Sequence, residues 1–236
     1  MKGLKDPEMR PTHTIQLTEL LQFSNEVKSF KKGAYIFQEG MLAKNMYLIL
    51  SGKVKVSKST ADGRELTLRL CSENDIVGEA VFFSHASDYL FSTEVVEDVE
   101  VAVISKERLE KEVLQDGALA YEFMKWIGDQ YRKTQTKFRD LILYGKRGGV
   151  FSTLIRMTNS YGVQTPDGIL IDLPLTDQKI GSFSATSRES VNRMLNELKR
   201  DGIISVKNGY ITVHDLSYLR NEIDCDGCPI TYCSID

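Results

Sequence analysis

The chain has little of what would place it outside a cell or in a membrane. Its 236 residues include only four cysteines, the first at Cys71, and three histidines. So few thiols do not make the disulfide framework of a small secreted domain, so any clustering among them reads as metal, redox or chance. No uninterrupted apolar run approaches the roughly 18 residues of a membrane span, and the opening residues MKGLKDPEMRPTHT lack the apolar segment of a secretory signal. A cytoplasmic protein without membrane contact is expected. Also missing are a glycine-rich phosphate loop, a paired-carboxylate site and a nucleophile elbow, while His13, His85 and His214 match no catalytic constellation. These absences argue against an enzyme.

What is present suits two domains. A hydrophobic content of 42% over this length can bury one or two cores. The net charge of −3 is unevenly spread: −5 over residues 1–131, +6 over 132–214 and −4 over 215–236. The positive segment suits a polyanionic partner, or is a solvated face.

Residues 27–104 read as an antiparallel β-barrel or sandwich. Val54 and Val56 alternate with Lys53 and Lys55, Leu66, Leu68 and Leu70 alternate with Thr67 and Arg69, and Asp62-Gly63 marks a hairpin. After Ser105, a helix N-cap, helix formers take over. Short and long helices are expected near 106–113 and 117–143, the latter about 40 Å long at 1.5 Å per residue, more than this domain needs to cover its core. The surplus suggests dimerisation; packing on the barrel is the alternative. Gly145, Gly148 and Gly149 mark a hinge, followed by a helix over 149–161, a strand over 169–173, helices over 176–183 and 187–200, a hairpin over 203–213 and a last helix over 215–223. The division expected is 1–116 barrel, 117–145 dimerisation helix, 146–224 winged helix-turn-helix and 225–236 cysteine tail, an α+β chain.

The segment LTDQKIGSFSATSRESVNRMLNELKRDGIISV, residues 175–206, is the most specific signal. Thr176 caps one helix, Ala185-Thr186-Ser187 makes a turn, and Val191, Leu195 and Leu198 form the inner stripe of a second helix. Arg188, Glu189, Asn192 and Arg193 are left facing out, where side chains reach base edges when such a helix enters the major groove. Arg pairs with guanine O6 and N7 and Glu accepts from cytosine N4; Ser182, Ser187 and Lys179 would hold phosphates. A merely solvated helix face is the alternative.

Near the other end of this unit Cys225, Cys228 and Cys233 form C-x2-C-x4-C. Thiolates so spaced suit iron–sulfur or zinc, with His214 available as a fourth zinc ligand, unless the thiols bind nothing. Cys71, alone in a strand-like run, reads as a small buried hydrophobe.

The helix pair resembles that of the CRP/FNR family on Thr176, Ile180, Gly181, Ser187, Arg188, Glu189, Val191, Arg193, Leu195 and Gly202, and the resemblance extends to Gly33, Gly52 and Gly78-Glu79 in the barrel. One departure is Ala185, where many members carry glycine, a substitution tolerated if φ there is not positive. The family implies a cyclic-nucleotide-binding-like jelly roll, a homodimer joined through the long helix, recognition of palindromic double-stranded DNA with TGTGA-type half-sites by Arg188, Glu189 and Arg193, and contact with RNA polymerase. Cyclic-nucleotide-binding relatives carry an arginine for the cyclic phosphate about ten residues after the Gly-Glu pair. Phe91 stands there with Asp88 nearby, which argues against cyclic AMP. With its cysteine trio the chain resembles the Bacillus-type Fnr branch, which implies an oxygen-labile [4Fe-4S] cluster on Cys225, Cys228, Cys233 and, in the context Phe138-Arg139-Asp140-Leu141, Asp140. It further implies an activator of anaerobic respiration genes. The alternatives are a constitutive or small-molecule-gated regulator with a zinc-stabilised tail and, more remotely, a redox carrier; Asp140 would then simply pair with Arg139 or Lys137.

Overall fold

The computed structural model describes residues 20–79, 82 and 87–235; His13 and His85 lie outside them. The alternating, β-branched stretches form an antiparallel sheet around two long strands, β3 (Asn45–Ser59) and β6 (Ser92–Ser105). β6 takes β1 (Glu26–Phe30) and β2 (Tyr35–Phe37), while β3 takes β4 (Glu65–Cys71) and β5 (Ile76–Val77), giving the order β1-β6-β3-β4 with β4 at an edge. Thr93, Val95, Val99 and Val101 of β6 point inward at even spacing and are almost fully buried, and from Val101 to Ile104 the strand is buried on both faces. Gly52 is required where β3 shifts register against β6: with φ of +84°, a Cβ there would sit 2.0 Å from the Asp98 carbonyl oxygen. Phe37 stacks on Tyr89 and on Tyr47, at centroid distances of 3.9 and 5.6 Å, and fills the barrel with aromatic rings.

Ser105 caps α1 (Lys106–Gln115) by accepting from the Arg108 amide, and Asp116 caps α2 (Gly117–Tyr161) by accepting from Ala118 and Leu119. Leu119, Phe123 and Trp126 anchor the start of α2 on the barrel core. The expected hinge is a single break: Gly145 has φ 58° and ψ −149°, and helical geometry resumes at once. Gly148 and Gly149 allow close approach, since a Cβ would lie 2.7 Å from the Asp140 carbonyl at the first and 2.8 Å from that of Ser184 at the second.

Beyond the break the helix is wrapped by the second core, with Phe151, Leu154 and Ile155 packed against Ile180, Val191, Leu198, Ile211 and Leu219. Here α3 (Asp177–Phe183) and α4 (Arg188–Arg200) form the helix pair, α5 (Leu216–Asn221) follows, and a four-stranded sheet runs β7-β8-β10-β9. Its strands are β7 (Gly162–Thr165), β8 (Gly168–Ile171), β9 (Ile204–Lys207) and β10 (Tyr210–Val213). β7 was not expected. Three of its four residues are exposed, so it has no buried alternation to announce it.

Candidate functional site

The second helix of the pair begins at Ser187, whose hydroxyl accepts from the Ser190 amide at 3.4 Å. Val191, Met194, Leu195 and Leu198 bury its inner stripe, and Arg188, Glu189, Asn192 and Arg193 are exposed on the opposite face. Asn192 is fixed by donating to Asp177 Oδ2 at 2.7 Å and accepting from Asn196 at 3.0 Å. This brings Asn196, not anticipated from sequence, onto the same exposed face of the helix; its place one turn after Asn192 is the signal that could have found it. Lys179 is exposed, with Nζ donating to the Pro174 carbonyl at 3.2 Å.

Two expectations are corrected. Ser182 does not face outward: it is 6% exposed, accepts from Thr67 Oγ1 of β4 at 2.9 Å and donates to the Lys179 carbonyl, so α3 turns it toward the barrel rather than toward a phosphate. Ala185 does adopt a positive φ, +50°, so the turn carries a strain that glycine would not.

The cysteine segment comes back to the long helix. Arg139 donates through Nε and Nη2 to Asp140 Oδ1, at 3.0 and 2.7 Å, and its Nη1 is ion-paired with Asp226, which lies between Cys225 and Cys228. Asp140 is 3% exposed. Its Oδ2 accepts from Ser152 at 2.6 Å and from Arg156 Nη2 at 3.4 Å. The Cys233 thiol is pushed up, first by burial and further by Cys225, Cys228 and Asp140, while Arg156 pulls it down, so the other three candidate ligands all bear on this thiol. They are not gathered for a single ion: among the described residues no three His, Cys, Asp or Glu side chains form such a group. His214, the fourth ligand available under the zinc alternative, has Nδ1 2.5 Å from the Asp167 carbonyl at the β7–β8 turn.

Arg156 was missed. Only 2% exposed, it donates to Ser152, Thr136, Asp140 and the carbonyls of Tyr232 and Ser234, joining both parts of α2 to the cysteine segment. A lone charge inside the run GGVFSTLIRMT was the available signal, because a buried arginine must find partners. Cys71 is buried as expected, its thiol pushed up to about 12 by burial.

In the barrel, a cavity of about 300 Å³ is lined by Arg69, Gly78, Glu79, Tyr89, Phe91 and Lys137, among others. Arg69 is paired with Glu79 at 2.5 Å, and Phe91 itself adds an apolar ring to the lining.

Residues 27–116 match the family model of the cyclic nucleotide-binding domain, and residues 150–222 that of the Crp-like helix-turn-helix domain. With these two matches, a β-barrel joined by a long helix to a helix-turn-helix defines a DNA-binding transcription regulator, not an enzyme. The chain belongs to the CRP/FNR family and is closely related to the anaerobic regulatory protein of Bacillus subtilis, with 50% identity over 221 residues and 93% of each chain covered. The global nitrogen regulator of Synechococcus elongatus is 26% identical, with 80% of this chain and 85% of that one covered. Among solved structures, the c-di-GMP responsive regulator CLP of Xanthomonas campestris superposes with a TM-score of 0.73 at 21% identity, covering 84% of this chain and 98% of that one. A CooA mutant of Carboxydothermus hydrogenoformans gives 0.72 at 22%, covering 87% and 90%; both likenesses concern the fold.

Proposed function

We propose that this regulator responds to oxygen and activates anaerobic respiration genes, with Cys225, Cys228, Cys233 and Asp140 holding a [4Fe-4S] cluster. The observation that carries the reading is the Asp226–Arg139–Asp140 bridge, which brings the C-x2-C element to the carboxylate of the long helix. The donor set fits: three thiols and one carboxylate suit iron, and Arg139 and Arg156 stand beside them as cations that offset the charge of four anionic ligands. When bound, the cluster supplies an oxygen-labile link between its four ligands.

The chain's own residues make that link consequential. Asp140 lies just before the Gly145 break and the cysteines just after the DNA-binding unit, so fixing one to the other fixes how α4 is presented. Arg139 and Ser152 orient the Asp140 carboxylate, and Arg156 holds the main chain on either side of Cys233. On DNA, Arg188, Glu189 and Arg193 read the half-site, Asn192 is held in register by Asp177, and Ser187 and Lys179 face the phosphates. The working form is a homodimer in the cytoplasm on a palindrome of TGTGA-type half-sites.

The test is an absorption spectrum with iron and sulfide assays on protein purified without oxygen. A broad band near ~400 nm that bleaches in air, with about four irons per chain, is the expected result. A colourless protein containing zinc or no metal after anaerobic reconstitution overturns the cluster and leaves the DNA-binding assignment in place.

A further inference from the structure

An edge strand presents N–H and C=O groups with no ladder partner, and a protein must cover them. β4 is such an edge, and two distant segments cover it. Lys137 of α2 donates from Nζ to the carbonyls of Thr67 and Leu68, at 3.2 and 3.0 Å. The Leu70 amide donates to the carbonyl of Ile235 at 3.3 Å. Ile235 is only 2% exposed, shares a core cluster with Leu70, and donates its own amide to Ser160 Oγ at 3.0 Å.

The residues leading to this contact are held one after another. The Tyr232 carbonyl accepts from Arg156 at 3.0 Å and from Thr136 at 3.2 Å. The Cys233 carbonyl accepts from Asn159 Nδ2 at 2.6 Å, and that of Ser234 from Arg156 at 3.5 Å. Ser234 and Ile235 also line the barrel cavity, beside Gly78, Glu79 and Phe91.

We propose that residues 232–235 are an internal ligand of the barrel: they add to the open edge of β4, close the cavity and report the state of the cysteine site to the sensor domain. The docking stands on its own contacts; the reporting rests on the cluster reading above. Ile235 is two residues beyond Cys233, so a chain reach of about 3.3–3.6 Å per residue keeps it within about 7 Å of that thiol's backbone. Ligation that fixes Cys233 therefore fixes the segment on β4, and its release frees the Leu70 amide.

Hydrogen exchange of the full chain, read on peptides covering residues 66–71 and 229–235 with α1, whose Leu109 lies in the separate barrel core, as internal reference, tests this. Ile235→Asp puts a charge into an apolar seat and is expected to speed exchange at the Leu70 amide by about tenfold or more, with α1 unchanged. Ser160→Ala removes one hydrogen bond and is expected to give about fivefold, the equilibrium factor of a single net hydrogen bond. Air exposure of the anaerobically purified wild type is expected to move the same amide in the same direction. Unchanged Leu70 exchange in both variants overturns the docking; if Ile235→Asp loses protection everywhere, Ser160→Ala decides. A Leu70 amide that answers to the variants but not to air, in a protein without iron, upholds the docking and overturns the cluster reading. The same pattern in a protein with iron overturns the reporting alone.

Discussion

Arg188 and Glu189 stand exposed in the first turn of α4, held there by the Ser187 cap and by the buried stripe from Val191 to Leu198. Arg188→Ala is expected to weaken binding to the specific half-site by about 1–3 kcal/mol while leaving non-specific binding nearly unchanged, as fluorescence anisotropy on the two DNAs would read. Equal losses on both would make Arg188 a phosphate contact. Ala185→Gly should stabilise the protein by about 1 kcal/mol by removing the strain of an L-residue at φ +50°, seen as a rise of about 2–4 °C in the unfolding midpoint. Asp140→Ala in metal-free protein should cost about 3–5 kcal/mol, because it leaves Arg156, 2% exposed, without its carboxylate. Denaturant unfolding measures this separately from any role in binding iron, and a loss below about 1 kcal/mol would mean that Arg156 is satisfied by its carbonyl partners alone.

At the scale of elements, whatever had a local period was legible and whatever depended on distant partners was not. The inner stripe of α4, the Thr176 and Ser105 caps and the Asp62-Gly63 turn follow from neighbours within a few residues, and the structure places them as the sequence implies. The hidden face of Ser182, the bonds from Arg156 to the Tyr232 and Ser234 carbonyls and the docking of Ile235 on β4 join residues more than 70 positions apart, which no local pattern records. The Lys137 contact belongs to this second kind, and it titrates. Burial, reinforced by Arg156, lowers its ammonium from 10.5 to about 7. Between those values the unfolded chain holds a proton that the folded chain does not, so stability rises with pH across this window, and the penalty is complete below it. Guanidinium midpoints at about pH 7 and about pH 9 should therefore differ more in the wild type than in Lys137→Met. Equal differences would show that Lys137 keeps its proton and serves the β4 carbonyls as a cation.

At the scale of the whole molecule, a long apolar surface has no partner among the described residues. Along α2, Tyr121, Met124, Tyr131, Phe138 and Ile142 are all more than half exposed. Their spacing of three, seven, seven and four residues follows a heptad seam, so they share one face and would meet their copies in a parallel pair of helices. Apolar side chains in such a row are costly in water and gain most when a second seam covers them. This face runs alongside Asp140 and ends at the Gly145 break, so a pair formed along it would set the separation of the two reading helices. The double variant Phe138→Asp, Ile142→Asp places like charges across that seam and should yield a monomer by sedimentation equilibrium. Its circular dichroism should stay native, because neither side chain belongs to a described core. Binding to a palindrome should fall to the level of a single half-site. If the variant remains a dimer, the subunits associate through another surface and the spacing of the reading helices must be set elsewhere than along α2.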